Sequence, residues 1–163
     1  MDCRYNFPAC RCLSFVGLLS ISQPAYELGF AAAELIISEY GEGSSGNSKY
    51  IELYNGTGST IDLANYRIRT GVNGAALSAP LTFSSTNIIT GNTYVIANNT
   101  TDVPGANITW ASASWNGDDA IGLFKNDVLI DVVGTPNTDP GTGWSVAGTN
   151  NATVDNILVR KSG

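Results

Sequence analysis

A chain of 163 residues and 17.1 kDa has room for one domain, with a core large enough to fold without disulfide staples. Its 14 acidic and 8 basic residues give a net charge of −6, which repels phosphate backbones and disfavours direct nucleic-acid binding. There is no histidine, which excludes Ser-His-Asp and Cys-His catalysis and most transition-metal sites, and leaves carboxylates, the ligands of hard cations such as calcium.

Residues 1–33 differ in texture from the rest. Arg4 and Arg11 precede an apolar run at 12–22, and the segment ends Gly29-Phe-Ala-Ala-Ala33. Basic residues, a short apolar stretch and a small-residue A-x-A site are the parts of an export signal. The expectation is a leader at 1–33, a domain at 34–163 and a secreted or cell-surface location. The apolar run falls short of the ~20 residues that span a bilayer, so no transmembrane span is expected. Cys3, Cys10 and Cys12 all lie in this leader, so the domain itself holds no disulfide.

Glu34-Leu-Ile-Ile-Ser-Glu39 predicts a first strand, and the glycine-rich 40–48 a loop that holds neither helix nor strand. The segment 49–54 alternates, with Tyr50, Glu52 and Tyr54 on one side and Ile51 and Leu53 on the buried side. Asn55-Gly-Thr-Gly58 then turns the chain into short strands at 60–63 and 66–69. Within the weakly patterned 71–85, Leu81-Thr-Phe83 predicts a strand fragment. Residues 87–97 read as a strand that turns at Gly91-Asn92 and restarts at Thr93, and 108–110 as an edge strand.

The clearest signal is 115–134, a β-hairpin. Apolar runs at 120–124 and 128–133 flank Asn126-Asp127, residues that tolerate the left-handed backbone of a two-residue type I′ turn. That turn sets Phe124 opposite Leu129, Leu123 opposite Ile130, Gly122 opposite Asp131 and Ile121 opposite Val132. Ile121, Leu123, Ile130 and Val132 then share the core face, and Asp131 points away from it. After a Pro-, Gly-, Asn- and Thr-rich stretch at 135–151 with Trp144 as its anchor, 154–160 predicts a closing strand with Ile157 and Val159 facing in. About nine short strands with no helical periodicity and no fixed repeat predict an all-β fold, a β-sandwich.

Taken together, Leu35-Ile-Ile-Ser-Glu-Tyr40, Tyr50-Ile-Glu-Leu-Tyr-Asn55 followed by Ile61-Asp-Leu63, Tyr94-Val-Ile-Ala97, Trp115-Asn-Gly-Asp-Asp-Ala-Ile-Gly-Leu123 and Ile130-Asp-Val-Val-Gly134 resemble the lamin tail domain in its bacterial, secreted form, over residues ~34–161. The resemblance implies an immunoglobulin-like β-sandwich and a role as an accessory module, of the kind found beside nuclease, phosphatase or protease domains of exported proteins. Asp155-Asn-Ile-Leu-Val-Arg-Lys161 is similar to the end of such modules in extracellular nucleases. The family supplies no catalytic residues, so no enzyme activity is expected.

Two kinds of site residue remain. Glu39, Asp118 and Asp119, with Glu42 and Asp131 as further oxygen donors, are the candidates for a calcium site. The Asn116-Gly-Asp-Asp119 spacing is not that of a calcium loop, and Asp or Asn ahead of a strand also closes turns through its own backbone. No other cofactor is expected. Tyr50, Tyr54, Trp110, Trp115 and Trp144 are the candidate binding aromatics, with Tyr54 and Trp115 favoured as exposed because glycine-rich loops flank both, although a tryptophan near a strand end is more often a core or rim plug. The five Asn-x-Thr matches, at Asn55, Asn98, Asn99, Asn107 and Asn151, read as loops. The expected function is attachment, binding or positioning of a partner: a protein, a surface polymer or a catalytic domain of the same parent protein. The rival is an accessory domain of a secreted nuclease or phosphoesterase that has been separated from its catalytic part.

Overall fold

The computed structural model describes residues 32–44, 48–100 and 102–161. Residues 1–31, which hold the three cysteines and all but the last two residues of the expected leader, lie outside them. Eleven strands follow in order: β1 (Ile36–Glu42), β2 (Lys49–Tyr54), β3 (Ile61–Asp62), β4 (Tyr66–Gly71), β5 (Ser78–Thr82), β6 (Asn87–Ile88), β7 (Thr93–Ala97), β8 (Ile108–Thr109), β9 (Ala120–Lys125), β10 (Val128–Val133) and β11 (Ile157–Val159). Single 3₁₀ turns occupy Leu63–Asn65 and Val72–Gly74. No helix among the described residues is long and apolar enough to cross a membrane.

The strands form a five-stranded sheet in the order β11-β1-β2-β7-β8 and a four-stranded sheet in the order β10-β9-β4-β5, with β3 and β6 paired separately. The two larger sheets pack as a sandwich of immunoglobulin-like type. The alternation in 49–54 sends Ile51 and Leu53 into the core, where they meet Ile37, Ile96 and Leu158 of the same sheet and Ile68, Ile121 and Leu123 of the other. Gly91 turns the chain between β6 and β7 as the sequence predicts, and β8 is an edge strand, joined parallel to β7.

Four expectations need correction. β1 runs on through Gly41 to Glu42, into the segment read as loop, because Gly41 lies under the Tyr50 ring, where a Cβ would clash at 2.1 Å. The hairpin turns at Asn126-Asp127, both at positive φ (48° and 62°), but its register does not stay simple. After Leu129 opposite Phe124, Ile130 is passed over in a β-bulge and Asp131 falls opposite Leu123, with Val133 opposite Ile121. Asp131 is therefore turned inward and is 3% exposed. Finally, β11 buries Leu158 and leaves Ile157 57% exposed, the reverse of the expected face.

Asp131 and Arg160 explain these last two shifts. β11 pairs with β1 only at Glu39, Tyr40 and Gly41, which leaves the β1 edge at Ile37 with no strand beside it. Asp131 Oδ2 accepts the Ile37 N–H at 2.8 Å, and Arg160 Nε donates to the Ile37 carbonyl at 2.9 Å. The Arg160 guanidinium closes the triangle by donating to both Asp131 oxygens. A charged pair thus completes the β1 ladder and ties the edges of the two sheets together.

Candidate functional site

The residues singled out from sequence do not gather in one place. Trp115 is 1% exposed, its ring 6.1 Å from that of Tyr40, and its Nε1 donates to the Gly41 carbonyl at 2.9 Å. It is a core plug, the commoner of the two readings for a tryptophan near a strand end, with its one polar atom satisfied. Trp144 is half-buried, lies over Gly134, where any Cβ would meet the indole, and donates through Nε1 to the Asp119 carbonyl. Gly134 needs to be glycine twice over, for this close approach and for its φ of +78°. Tyr54 is half-buried on β2, opposite Ile36 and Thr93.

The carboxylates are likewise dispersed. Asp119 is buried before β9 and accepts the Asn73 N–H at 2.9 Å. Burial, then the neighbouring Asp118, pushes its carboxyl above the ordinary range against that hydrogen bond. Glu42 is buried and ion-paired with Lys49, and Asp131 is committed to Arg160. Glu39 sits on the outward face of the five-stranded sheet beside Glu52 and Tyr50. Among the described residues no three His, Cys, Asp or Glu side chains come together to hold a metal ion. The sequon asparagines organise turns. Asn55 is wholly buried, its amide donating to Ser59 and Ile88 carbonyls, and Asn107 Oδ1 accepts the Val95 N–H.

A groove of about 350 Å³ opens on the outward face of the five-stranded sheet. Its floor comes from Glu39 of β1 with Tyr50 and Glu52 of β2; Val95 of β7, Val103 and the exposed Ile157 of β11 form apolar walls. The strands dictate this arrangement. Alternation along β2 turns Tyr50 and Glu52 outward, and a bulge at Ser38 resets β1 so that Glu39 falls opposite Glu52. Tyr50 Oη donates to Glu39 Oε2 at 3.1 Å, and Ser38 Oγ donates to Glu52 Oε1 at 2.7 Å. Burial, then the charge of Glu52, raises the Glu39 carboxyl above its ordinary value, with the Tyr50 hydrogen bond opposing. Burial beside Glu39 pushes the Tyr50 phenol up strongly, so it stays a hydrogen-bond donor at neutral pH. The site thus sets two hydroxyl-braced carboxylates beside apolar side chains, a lining that can hold a cationic or hydrogen-bond-donating group.

The comparison with protein families settles the class. The Lamin Tail Domain model matches residues 30–137, about two thirds of the chain. The chain belongs to the lamin tail domain family. This is a family of non-catalytic immunoglobulin-like modules. The match ends at 137, whereas the fold of this lamin tail domain runs on to β11 and Arg160, which complete the β1 ladder. No curated protein matches the chain.

Sequence reasoning placed Tyr50 and Glu52 on one outward side and counted Tyr50 among the candidate binding aromatics, but did not make Glu52 a site residue. The missing signal was the partner strand: nothing in the local pattern announces that the Ser38 bulge sets Glu39 against Glu52, or that Val103 and Ile157 come to the same groove from distant segments.

Proposed function

We propose that this lamin tail domain is a non-catalytic, exported module that docks a partner through the groove on the outward face of its five-stranded sheet. The observation that carries the reading is the groove itself: a concave, mixed apolar and acidic surface at the small end of ligand-sized clefts. Membership of a family of non-catalytic modules supports it. The composition of residues 1–33 supports export. The parent context, a secreted nuclease or phosphoesterase, rests on the likeness of Asp155-Asn-Ile-Leu-Val-Arg-Lys161 to the end of modules in such enzymes. A continuous reading frame after Gly163 carrying His- and Asp-bearing nuclease motifs supports that context, and a stop codon there removes its ground.

The docking reading is tested by retention of the purified chain on immobilised envelope proteins, cell-wall polysaccharides and DNA at physiological salt. Saturable retention on one class, lost on Ile157→Asp or Val103→Asp substitution, is the expected result. Retention on none of them by well-folded protein, or retention indifferent to both substitutions, contradicts it.

A further inference from the structure

We propose that the groove takes a cationic side chain, an arginine, presented by an extended segment of a partner protein; this deepens the docking reading and rests on it. Glu39 and Glu52 face each other across β1 and β2 as direct cross-strand partners. Like charges in that position destabilise a sheet, and among the described residues neither carboxylate has a cationic partner. Among the described residues, Lys49 pairs with Glu42, Arg69 with Asp127, Lys125 with Glu34 and Arg160 with Asp131, while the exposed Lys161 forms no ion pair with Glu39 or Glu52. Arg67 donates to the Ala64 and Tyr66 carbonyls, and no lysine or arginine lines the groove.

Both carboxylates are held ready. Tyr50 Oη fixes Glu39 through Oε2 and Ser38 Oγ fixes Glu52 through Oε1. Glu39 Oε1 and Glu52 Oε2 have no hydrogen bond among the described residues, so each carboxylate keeps an acceptor for an incoming donor. A guanidinium offers several N–H donors in a planar fork and stacks on aromatic faces, which suits two adjacent carboxylates beside the Tyr50 ring better than an ammonium does. The walls argue for a polypeptide carrier over a free cation. Val95, Val103 and Ile157 line the same groove and give apolar residues flanking the arginine a surface to bury. Asp102 adds a third carboxylate to the lining, and the net charge of −6 steers a basic segment toward the domain.

The test is a titration of the full ¹⁵N-labelled chain, followed by amide NMR shifts at physiological salt, with acetyl-Val-Arg-Val-amide, its lysine counterpart and its uncharged citrulline counterpart. The arginine peptide is expected to shift the amides of Glu39, Tyr50, Glu52 and Ile157 saturably. The lysine peptide binds a few-fold more weakly and the citrulline peptide at least tenfold more weakly. The double substitution Glu39→Gln with Glu52→Gln, which keeps the acceptors for Tyr50 and Ser38, weakens the arginine peptide at least tenfold. Asp139→Asn with Asp155→Asn, the same charge change outside the groove lining, leaves it within twofold. Equal binding of arginine and citrulline peptides at these amides overturns the cationic assignment while leaving a docking groove. An equal loss in both double variants reduces the effect to diffuse charge and also overturns it. If no peptide shifts these amides the assignment fails, and the retention assay with Ile157→Asp and Val103→Asp still decides the docking reading independently.

Discussion

Arg160 Nη2 lies 2.8 Å from both carboxylate oxygens of Asp131, in an ion pair whose side chains are 4% and 2% exposed. The pair joins the strand after the hairpin turn to the end of the chain's closing segment, and both members also serve the backbone of Ile37. Buried ion pairs in general are replaceable by apolar residues with little loss. This one is not expected to be, because its members are also the partners of a strand edge. Asp131→Leu or Arg160→Met alone should cost about 3–5 kcal/mol, the loss typical of breaking a buried pair. The double apolar variant should remain about 2–4 kcal/mol below the native protein, since the Ile37 N–H and C=O lose their partners. Urea unfolding of the four proteins measures this, and a double variant as stable as native refutes the strand-completing role.

Truncation after residue 155 removes β11 and Arg160 but leaves the whole region that matches the family intact. The shortened chain loses the buried Leu158 and the partner of β1 at Glu39, Tyr40 and Gly41, and it strands Asp131 as an unpaired buried charge. It is expected to lose cooperative urea unfolding and to expose apolar surface, read by dye binding. A truncated chain that unfolds with native midpoint and slope would show that the closing segment is an appendage.

The Glu39 and Glu52 pair predicts a stability that depends on pH in an unusual direction for carboxylates. The Glu39 carboxyl is raised above 4.5 by burial and by Glu52, so the folded state holds a proton over a range where the unfolded chain has released it. Stability contributed by this site therefore falls as pH rises from 4.5 through the folded value, and the full penalty is present above it. Glu52→Gln removes the neighbouring charge and should raise the melting temperature at pH 7 by about 1–2 °C, for roughly 0.5 kcal/mol of relieved repulsion. Below pH 4.5 the gain should vanish. A gain equal at pH 7 and pH 4, or none at pH 7, contradicts the pairing.

Much of this fold was legible in the residues, and the places where it was not share a cause. Alternation identified Ile51 and Leu53 as core, and Asn126-Asp127 fixed the hairpin turn, because both signals are local. The face of Asp131 was misread because its partners beside the bulge at Ile130, Ile37 and Arg160, stand 94 and 29 positions from it, and no local pattern encodes that demand. The faces of Ile157 and Leu158 inverted for the same reason, as Arg160 anchors the register of the closing strand. For Trp115 the local sequence left a binding aromatic and a core plug both open, because the Gly41 carbonyl that receives its indole N–H lies on a distant strand. The groove was half visible: Tyr50 and Glu52 were placed outward correctly, and Glu39 was noticed as a metal candidate, but nothing local brought the three together.

Calcium offers a direct check on the dispersed carboxylates. Since Glu39 and the Asp118–Asp119 pair do not come together with a third ligand, the thermal midpoint should be the same in excess calcium and in chelator. Ligand at a hundredfold excess over its dissociation constant would add about 2.7 kcal/mol to the folded state, so an upward shift of several degrees would restore Asp118 and Asp119 as ligands.

The central claim is that partners dock on the outward groove of the five-stranded sheet and not on the apolar tip of the hairpin, where Val128 and Leu129 are also exposed. The most direct measurement compares partner retention by native protein, Ile157→Asp and Leu129→Asp at matched concentration and salt. The account predicts loss of at least tenfold in affinity for Ile157→Asp and retention within twofold for Leu129→Asp. The opposite pattern would contradict it and move the docking surface to the other sheet.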